Sequence, residues 1–314
     1  MSMSLPPVLS LMGPTASGKT QLSLELASRL PVEIVSVDSA QVYRGMDIGT
    51  AKPSPELRSA VPHHLIDILD PSQPYSAAQF AADAAALIAQ IRARGRVPLL
   101  VGGTMLYFRA LFDGLSELPP AAAELREKLA AEARIHGWPA LHARLAAGDP
   151  DTAARLHPND QQRIQRALEI LDGTGIPPSR WYAQPRTGAV DGASVHVALV
   201  PDDRAHLHRR IDQRFDLMMD AGFLDEVRRL HARGDLHSEL PAVRAVGYRQ
   251  LWAHLDGACT LDEAIERGKA ATRQYAKRQL TWLRGESRLL RFDPEAPGVV
   301  DRILLAMKVA ATAA

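Results

Sequence analysis

Eight consecutive residues, Gly13-Pro14-Thr15-Ala16-Ser17-Gly18-Lys19-Thr20, constrain this chain more than any other segment. They carry the glycine, lysine and hydroxyl spacing of a phosphate-binding loop. The apolar run Val8 to Met12 precedes them and the helical pattern Leu22, Leu26, Ala27, Leu30 follows, so the order strand, loop, helix is the one a phosphate cradle requires. Successive backbone N–H groups and the positive end of the helix converge on one anion, Lys19 adds a mobile cation, and the Thr20 hydroxyl can ligate Mg²⁺. A diphosphate or triphosphate is therefore expected on residues 13–20. Such loops usually carry ATP or GTP, so an ATP-dependent kinase remains open at this point.

The next segments build an α/β fold around the loop. Val32 to Val37 is a short β-branched run that reads as the second strand of a parallel sheet. It leads into Asp38-Ser39-Ala40-Gln41, and in an open α/β sheet ligands sit beyond the carboxyl ends of the strands, which stands Asp38 beside the phosphate loop. A third strand, Val97 to Val101, delivers Gly102, Gly103 and Thr104 to the same edge. Ser76 with Gln79 three residues on predicts a capped, alanine-rich helix that runs to about Arg94 and stops at Gly95. After Leu118 the pattern turns wholly helical: Ala121 to His136, Pro139 to Ala147, then a helix capped by Asn159 or Asp160 and running through Asp172. Val195 to Val200 resumes as a strand, and a helix starting near Asp203 carries Arg209, Arg210 and Arg214. The expected organisation is a P-loop NTPase-like core, 1–118 and 195–314, with parallel strands flanked by helices, interrupted by an all-helical insertion at 119–194.

Composition excludes several classes. With 46% hydrophobic and 23% charged residues over 314 positions, neither a fibrous nor a disordered chain fits. The single Cys259 cannot build a disulfide or a cysteine-rich zinc site. No apolar run approaches the ~18 residues of a membrane span, and residues 1–12 lack a signal-peptide pattern, so a cytoplasmic protein with no membrane partner is expected. Net charge is only +1, but eight Lys or Arg residues fall between Arg267 and Arg291 against one acid, Glu286. On a helix Arg273, Lys277 and Arg284 come close to one face, which suits either a solvated surface or a phosphate backbone.

Several blocks together resemble the bacterial tRNA dimethylallyltransferases: residues 13–20, 38–53, Val61-Pro62-His63-His64-Leu65-Ile66-Asp67, Val101-Gly102-Gly103-Thr104, His157-Pro158-Asn159-Asp160 with Gln162-Arg163-Ile164-Gln165-Arg166, and Arg244-Ala245-Val246-Gly247-Tyr248-Arg249-Gln250. The likeness runs from about Leu9 to Leu290 in the family's order. It implies transfer of a dimethylallyl group from dimethylallyl diphosphate to the exocyclic amine of the adenine 3′-adjacent to a tRNA anticodon, by a monomer using Mg²⁺ held by Thr20. Charge on the departing diphosphate would fall to Lys19, the loop N–H groups and a helix arginine, best Arg214. Asp38 would take the amine proton, with Thr104 bonding the amine or the base; a helix cap or outer Mg²⁺ ligand is the other role open to Asp38. The adenine must leave the stack to react, and Ser39, Ala40 and Gln41 would read its edge. The resemblance also implies anticodon-loop contacts at Arg126, Gln162, Arg163, Ile164, Gln165, Arg166 and Arg244 to Arg249. It turns Lys277-Arg278-Gln279-Leu280-Thr281-Trp282-Leu283-Arg284 into a tRNA-contacting segment.

Overall fold

A computed structural model of the chain describes residues 6–116, 118, 119, 122–184, 186 and 188–313. In chain order the elements are β1 (Val8–Met12), α1 (Lys19–Ala27), β2 (Val32–Val37), α2 (Pro55–Ala60), β3 (His63–His64), α3 (Ala77–Ala93), β4 (Val97–Gly102), α4 (Met105–Phe112), α5 (Ala123–His136), α6 (Trp138–Gly148), α7 (Pro150–Ala153), α8 (Gln161–Thr174), α9 (Pro178–Tyr182), β5 (Ser194–Leu199), α10 (Arg204–Asp220), α11 (Phe223–His231), α12 (Tyr248–Leu255), α13 (Leu261–Gly285), β6 (Leu290–Phe292) and α14 (Val299–Ala313).

The strands form one sheet in the order β3-β2-β4-β1-β5-β6, and every pairing is parallel. Side chains of period two explain why both faces are covered. Val8, Met12, Val35, Val37 and Leu100 pack on Phe80, Ile88, Phe108 and Leu111 of α3 and α4. Leu9, Leu11, Ile34, Leu99 and Val197 pack on Leu22 and Leu26 of α1 and on Ile303 and Met307 of α14. A third cluster, with Phe215, Phe223, Val227, Tyr248 and Leu251, joins α10, α11 and α12 to residues 42–46. The two edge strands, β3 and β6, add to the four that the apolar runs predict; at two and three residues they are too short to leave a periodic signal.

Caps sit where the polar residues suggest. Ser76 accepts from the Gln79 N–H while the Gln79 side chain accepts from the Ser76 N–H, closing the capping box of α3. Asp160, not Asn159, caps α8, its side chain accepting from the Arg163 N–H.

Packing separates two compact units, Met1–Phe112 with Ala189–Ala314, and Asp113–Gly188. Both edges therefore lie six residues earlier than 119 and 194. At the return edge the reason is local: the Ala189 N–H donates to the Leu111 carbonyl at 2.8 Å, and Val190 packs into the core under α3 and α4. The smaller unit has its own core of Leu129, Leu141, Leu145, Ile164 and Leu168 from α5, α6 and α8.

Candidate active site

The phosphate loop connects the carboxyl end of β1 to the first turn of α1. Gly18 caps that helix at φ 85°, a left-handed conformation that glycine adopts without strain, and this turns the N–H groups of the helix start toward the loop's interior. Lys19 bends back over the loop, its Nζ donating to the carbonyls of Gly13 at 2.9 Å and Pro14 at 2.6 Å. The residue is half-buried along the cavity. Burial, and then the nearby Arg214 guanidinium, lower its pKa to about 7, with Asp38 acting in the opposite sense. The Ser17 hydroxyl is buried in the loop without a hydrogen-bond partner among the described residues. From α13 the Gln279 side chain staples the loop to the end of β4: its Oε1 accepts from the Thr15 N–H at 2.9 Å and its Nε2 donates to the Gly103 carbonyl at 2.8 Å.

Asp38 follows β2 directly. Its Oδ1 accepts from the Ala40 N–H at 2.8 Å and from the Gln41 N–H at 3.3 Å, so one oxygen caps the turn. The other, Oδ2, has no hydrogen-bond partner among the described residues. Thr104, beyond β4, accepts from the Ser39 N–H at 3.2 Å through its hydroxyl and so ties the ends of β2 and β4 together.

A cavity of about 410 Å³ opens at this sheet edge. It is lined by Thr15, Lys19 and Thr20 of the loop and α1, by Asp38 to Gln41 after β2, and by Arg214, Phe215, Met218 and Phe223 of α10 and α11. Asp38 is the one carboxylate among its described lining residues. Burial lowers the pKa of Arg214, and the Asp38 carboxylate opposes that shift. Tyr275 of α13 also lines the cavity, its phenol pushed up to about 12 by burial and by Asp38. The cavity thus joins a cationic anion cradle, one carboxylate and apolar side chains of α10 and α11.

The sequence profile of the IPP transferase family matches residues 41–286, and that of the isopentenyl transferases matches residues 6–67. The chain belongs to the IPP transferase family. It is 60% identical over 286 residues to the tRNA dimethylallyltransferase of Halorhodospira halophila, covering 91% of this chain and 92% of that protein. The crystal structure of the tRNA isopentenylpyrophosphate transferase of Bacillus halodurans superposes with a TM-score of 0.70 at 40% identity, covering 98% of both chains. A eukaryotic dimethylallyltransferase described as acting on tRNA gives a TM-score of 0.75 at 29% identity over 92% of this chain and 74% of its own.

For this member of the IPP transferase family, the structure sorts the residues named from sequence. Lys19, Thr20, Asp38, Ser39, Ala40, Gln41 and Arg214 meet at the cavity, as do Arg244, Ala245, Val246, Tyr248, Arg278 and Gln279. Thr104 stands at its margin through Ser39. Arg249, Lys277, Thr281 and Arg284 are exposed, and Trp282 is half-buried against the α3 and α4 core. Leu280 and Leu283 are buried at 4% and 0% exposure, which removes them from any RNA-contacting surface and makes them the core face of α13. Gly247 is buried too, and Tyr248 donates its hydroxyl to Glu226.

The basic stripe of 267–291 is also narrower than its composition suggests. Arg267 pairs with Glu263 one turn earlier on α13 itself, while Lys269 pairs with Asp216 and Arg273 with Asp212 because α10 packs beside α13 and presents those acids there. Arg288 pairs with Glu286, and Arg291 donates to main-chain carbonyls. In the smaller unit Gln162 and Arg163 are exposed, Ile164 is fully buried, and Gln165 reaches the Arg126 carbonyl. Arg126 and Arg166 both bind the buried Glu169.

Tyr275, Phe215, Met218 and Glu226 escaped the motif reading. A signal existed for one of them: Tyr275 and Gln279 are four apart on a helix and must share a face. The others become visible only when α10 and α11 fold over the loop.

Proposed function

We propose that the protein transfers the dimethylallyl group of dimethylallyl diphosphate to the N6 amine of the adenine 3′-adjacent to a tRNA anticodon, releasing diphosphate. The observation that carries this reading is that Asp38, whose Oδ2 has no hydrogen-bond partner among the described residues, lines one cavity with the phosphate loop and with Phe215, Met218 and Phe223 of α10 and α11. The loop and the cations of Lys19 and Arg214 bind the diphosphate; Phe215, Met218 and Phe223 cover the five-carbon chain. As the allylic C–O bond breaks, charge grows on the diphosphate oxygens and these cations bind it more strongly. The new bond forms between that carbon and N6, and the proton leaving N6 passes to Asp38. The amine is a weak nucleophile, so a base at that atom lowers the barrier to bond formation. The adenine must be extruded from its loop to reach Asp38. Lys277, Arg278 and Arg284, with Gln162 and Arg163 of the smaller unit, hold the RNA.

Among the described residues no three His, Cys, Asp or Glu side chains gather into a metal cage, while Thr20 and Asp38 flank the cavity. That donor set suits Mg²⁺ held by Thr20, substrate phosphates and water. The bound ion supplies positive charge for the diphosphate oxygens. No helix among the described residues is long and apolar enough to cross a membrane. We further take the enzyme to be a cytoplasmic monomer acting on free tRNA. The test is incubation with labelled dimethylallyl diphosphate, Mg²⁺ and an anticodon stem-loop: label on adenine N6 with equimolar diphosphate release is expected. Diphosphate release without label on RNA, or label only with ATP present, would refute the reading.

A further inference from the structure

Glu226 of α11 is 1% exposed and is used by nothing in the transfer described above. A buried carboxylate carries a large desolvation cost unless donors surround it. Here four donors do. Its Oε2 accepts from the Asp47 N–H at 2.9 Å and the Ile48 N–H at 2.8 Å, and its Oε1 accepts from the Gly49 N–H at 3.1 Å and the Tyr248 hydroxyl at 2.5 Å. Burial and the adjacent Glu226 keep the Tyr248 phenol protonated, so it remains a donor. One turn earlier on the same helix, Phe223 lies against Gly49, where an added Cβ would come within 2.1 Å of the ring. Residues 47–49 are therefore clamped to α11 by three charge-assisted bonds and by a contact that only glycine permits.

The clamp reaches the cavity in one further step. The next two carbonyls, of Thr50 at 3.3 Å and Ala51 at 3.5 Å, both accept from the Gln41 Nε2. The Ser36 hydroxyl donates to the Gln41 Oε1 at 2.9 Å. A flipped amide would set its oxygen against two carbonyls, so the sense of the Gln41 amide is determined. Both hydrogens of Nε2 are spent inside the protein, and Oε1 keeps a lone pair beside Asp38 in the cavity lining. Asp38 and Gln41 both line the cavity and offer acceptors there, and a 6-amino purine has two N–H donors to give: one to Asp38 Oδ2, the other to Gln41 Oε1. A 6-oxo purine would place its own oxygen against both.

We propose that Glu226 is a positioning residue for base selection: through residues 47–51 it sets the Gln41 amide so that the site prefers a 6-amino over a 6-oxo purine. This rests on the transfer reading above. The experiment uses the full chain with Mg²⁺ and inorganic diphosphate, and compares the affinity of anticodon stem-loops carrying adenine or hypoxanthine at the target position. The wild type should favour adenine by about tenfold or more, as expected where a buried acceptor would meet another acceptor. Glu226→Gln turns an acceptor into a donor facing backbone N–H groups, and should bring the ratio to within about twofold while the affinity for inorganic diphosphate stays unchanged. A merely structural role would lower the unfolding temperature without moving the ratio. A folded E226Q protein with the wild-type ratio overturns the proposal. Should that variant not fold, Glu226→Asp, which keeps the charge and withdraws the carboxylate by one methylene, is read the same way; a wild-type ratio near one overturns the proposal whatever the variants do. Absence of label transfer by the wild type would sink the transfer reading itself, whereas transfer with an unmoved ratio sinks only the role of Glu226.

Discussion

The cavity and the first half of α13 treat their cations in opposite ways. Along the helix each is neutralised: Arg267 by Glu263, Lys269 by Asp216, Arg273 by Asp212. In the cavity the half-buried Lys19 and Arg214 stand close enough for Arg214 to lower the Lys19 pKa, with Asp38 as the one described lining carboxylate and no ion pair to it among the described residues. Partly burying two like charges destabilises the fold, and a protein that keeps such a pair does so for an anion that arrives later. The difference teaches that the count of basic residues in a segment says little about ligand binding, whereas a half-buried cation without a carboxylate partner says much.

Four experiments test that contrast. The largest effect is expected at the carboxylate, where Asp38→Asn retains the turn bonds at one oxygen but loses the proton acceptor. Single-turnover rate should fall by about 10² to 10⁴ with tRNA affinity nearly preserved. If added Mg²⁺ restores the rate, Asp38 serves the ion instead.

Next is Lys19→Ala, which removes one cation from the diphosphate site and should lower the rate by about a hundredfold, with folding intact. The wild type offers a pH version of the same test. With its pKa depressed to about 7, Lys19 is a cation below that pH and neutral above it, so kcat/KM should decline as pH rises through 7, reporting the free enzyme. The stability sign runs the other way: the unfolded chain holds this proton up to about 10.5, so the penalty for burying the charge is present below pH 7 and is relieved between 7 and 10.5. A flat kcat/KM profile across that range would remove Lys19 from the anion site.

A smaller effect belongs to the second half of α13, where Lys277, Arg278 and Arg284 are exposed and Arg278 lies over the Tyr275 ring at 5.8 Å. Replacing Arg278 and Arg284 by alanine should weaken tRNA binding and flatten the log affinity against log salt slope by about one per residue, while diphosphate binding holds. An unchanged slope would place these residues with the paired set. Smallest of all should be Arg273→Ala, whose guanidinium already serves Asp212. Its tRNA affinity should change by less than about twofold and its stability by no more than about 1 kcal/mol. A salt slope lowered as much as by Arg278→Ala would erase the distinction drawn here.

What the chain determines by itself is local. The phosphate loop, the four longer strands, the α3 capping box and the adjacency of Asp38 to the loop follow from short-range rules: turn glycines, β-branched runs, cap residues three apart, and the way parallel strands deliver their carboxyl ends to one edge. Tertiary structure decided everything that needed a partner distant in sequence. Nothing within 267–273 announces that Lys269 and Arg273 are matched by acids fifty or more residues earlier on α10, and nothing near Gln279 announces that it bonds Thr15, 264 positions away. Leu280 and Leu283 lie in a segment rich in lysine and arginine, yet Leu280 packs with Leu207 and Ile211 of α10 and Leu283 packs in the core beside α3 and α4, which assigns both to packing. Glu226 shows the same limit most plainly, since a glutamate on an amphipathic helix reads as solvated until the chain folds and places three backbone N–H groups around it. Residue type and spacing set which local structures and charges exist; which charge meets which donor is fixed by packing, because desolvation makes only the paired arrangements stable.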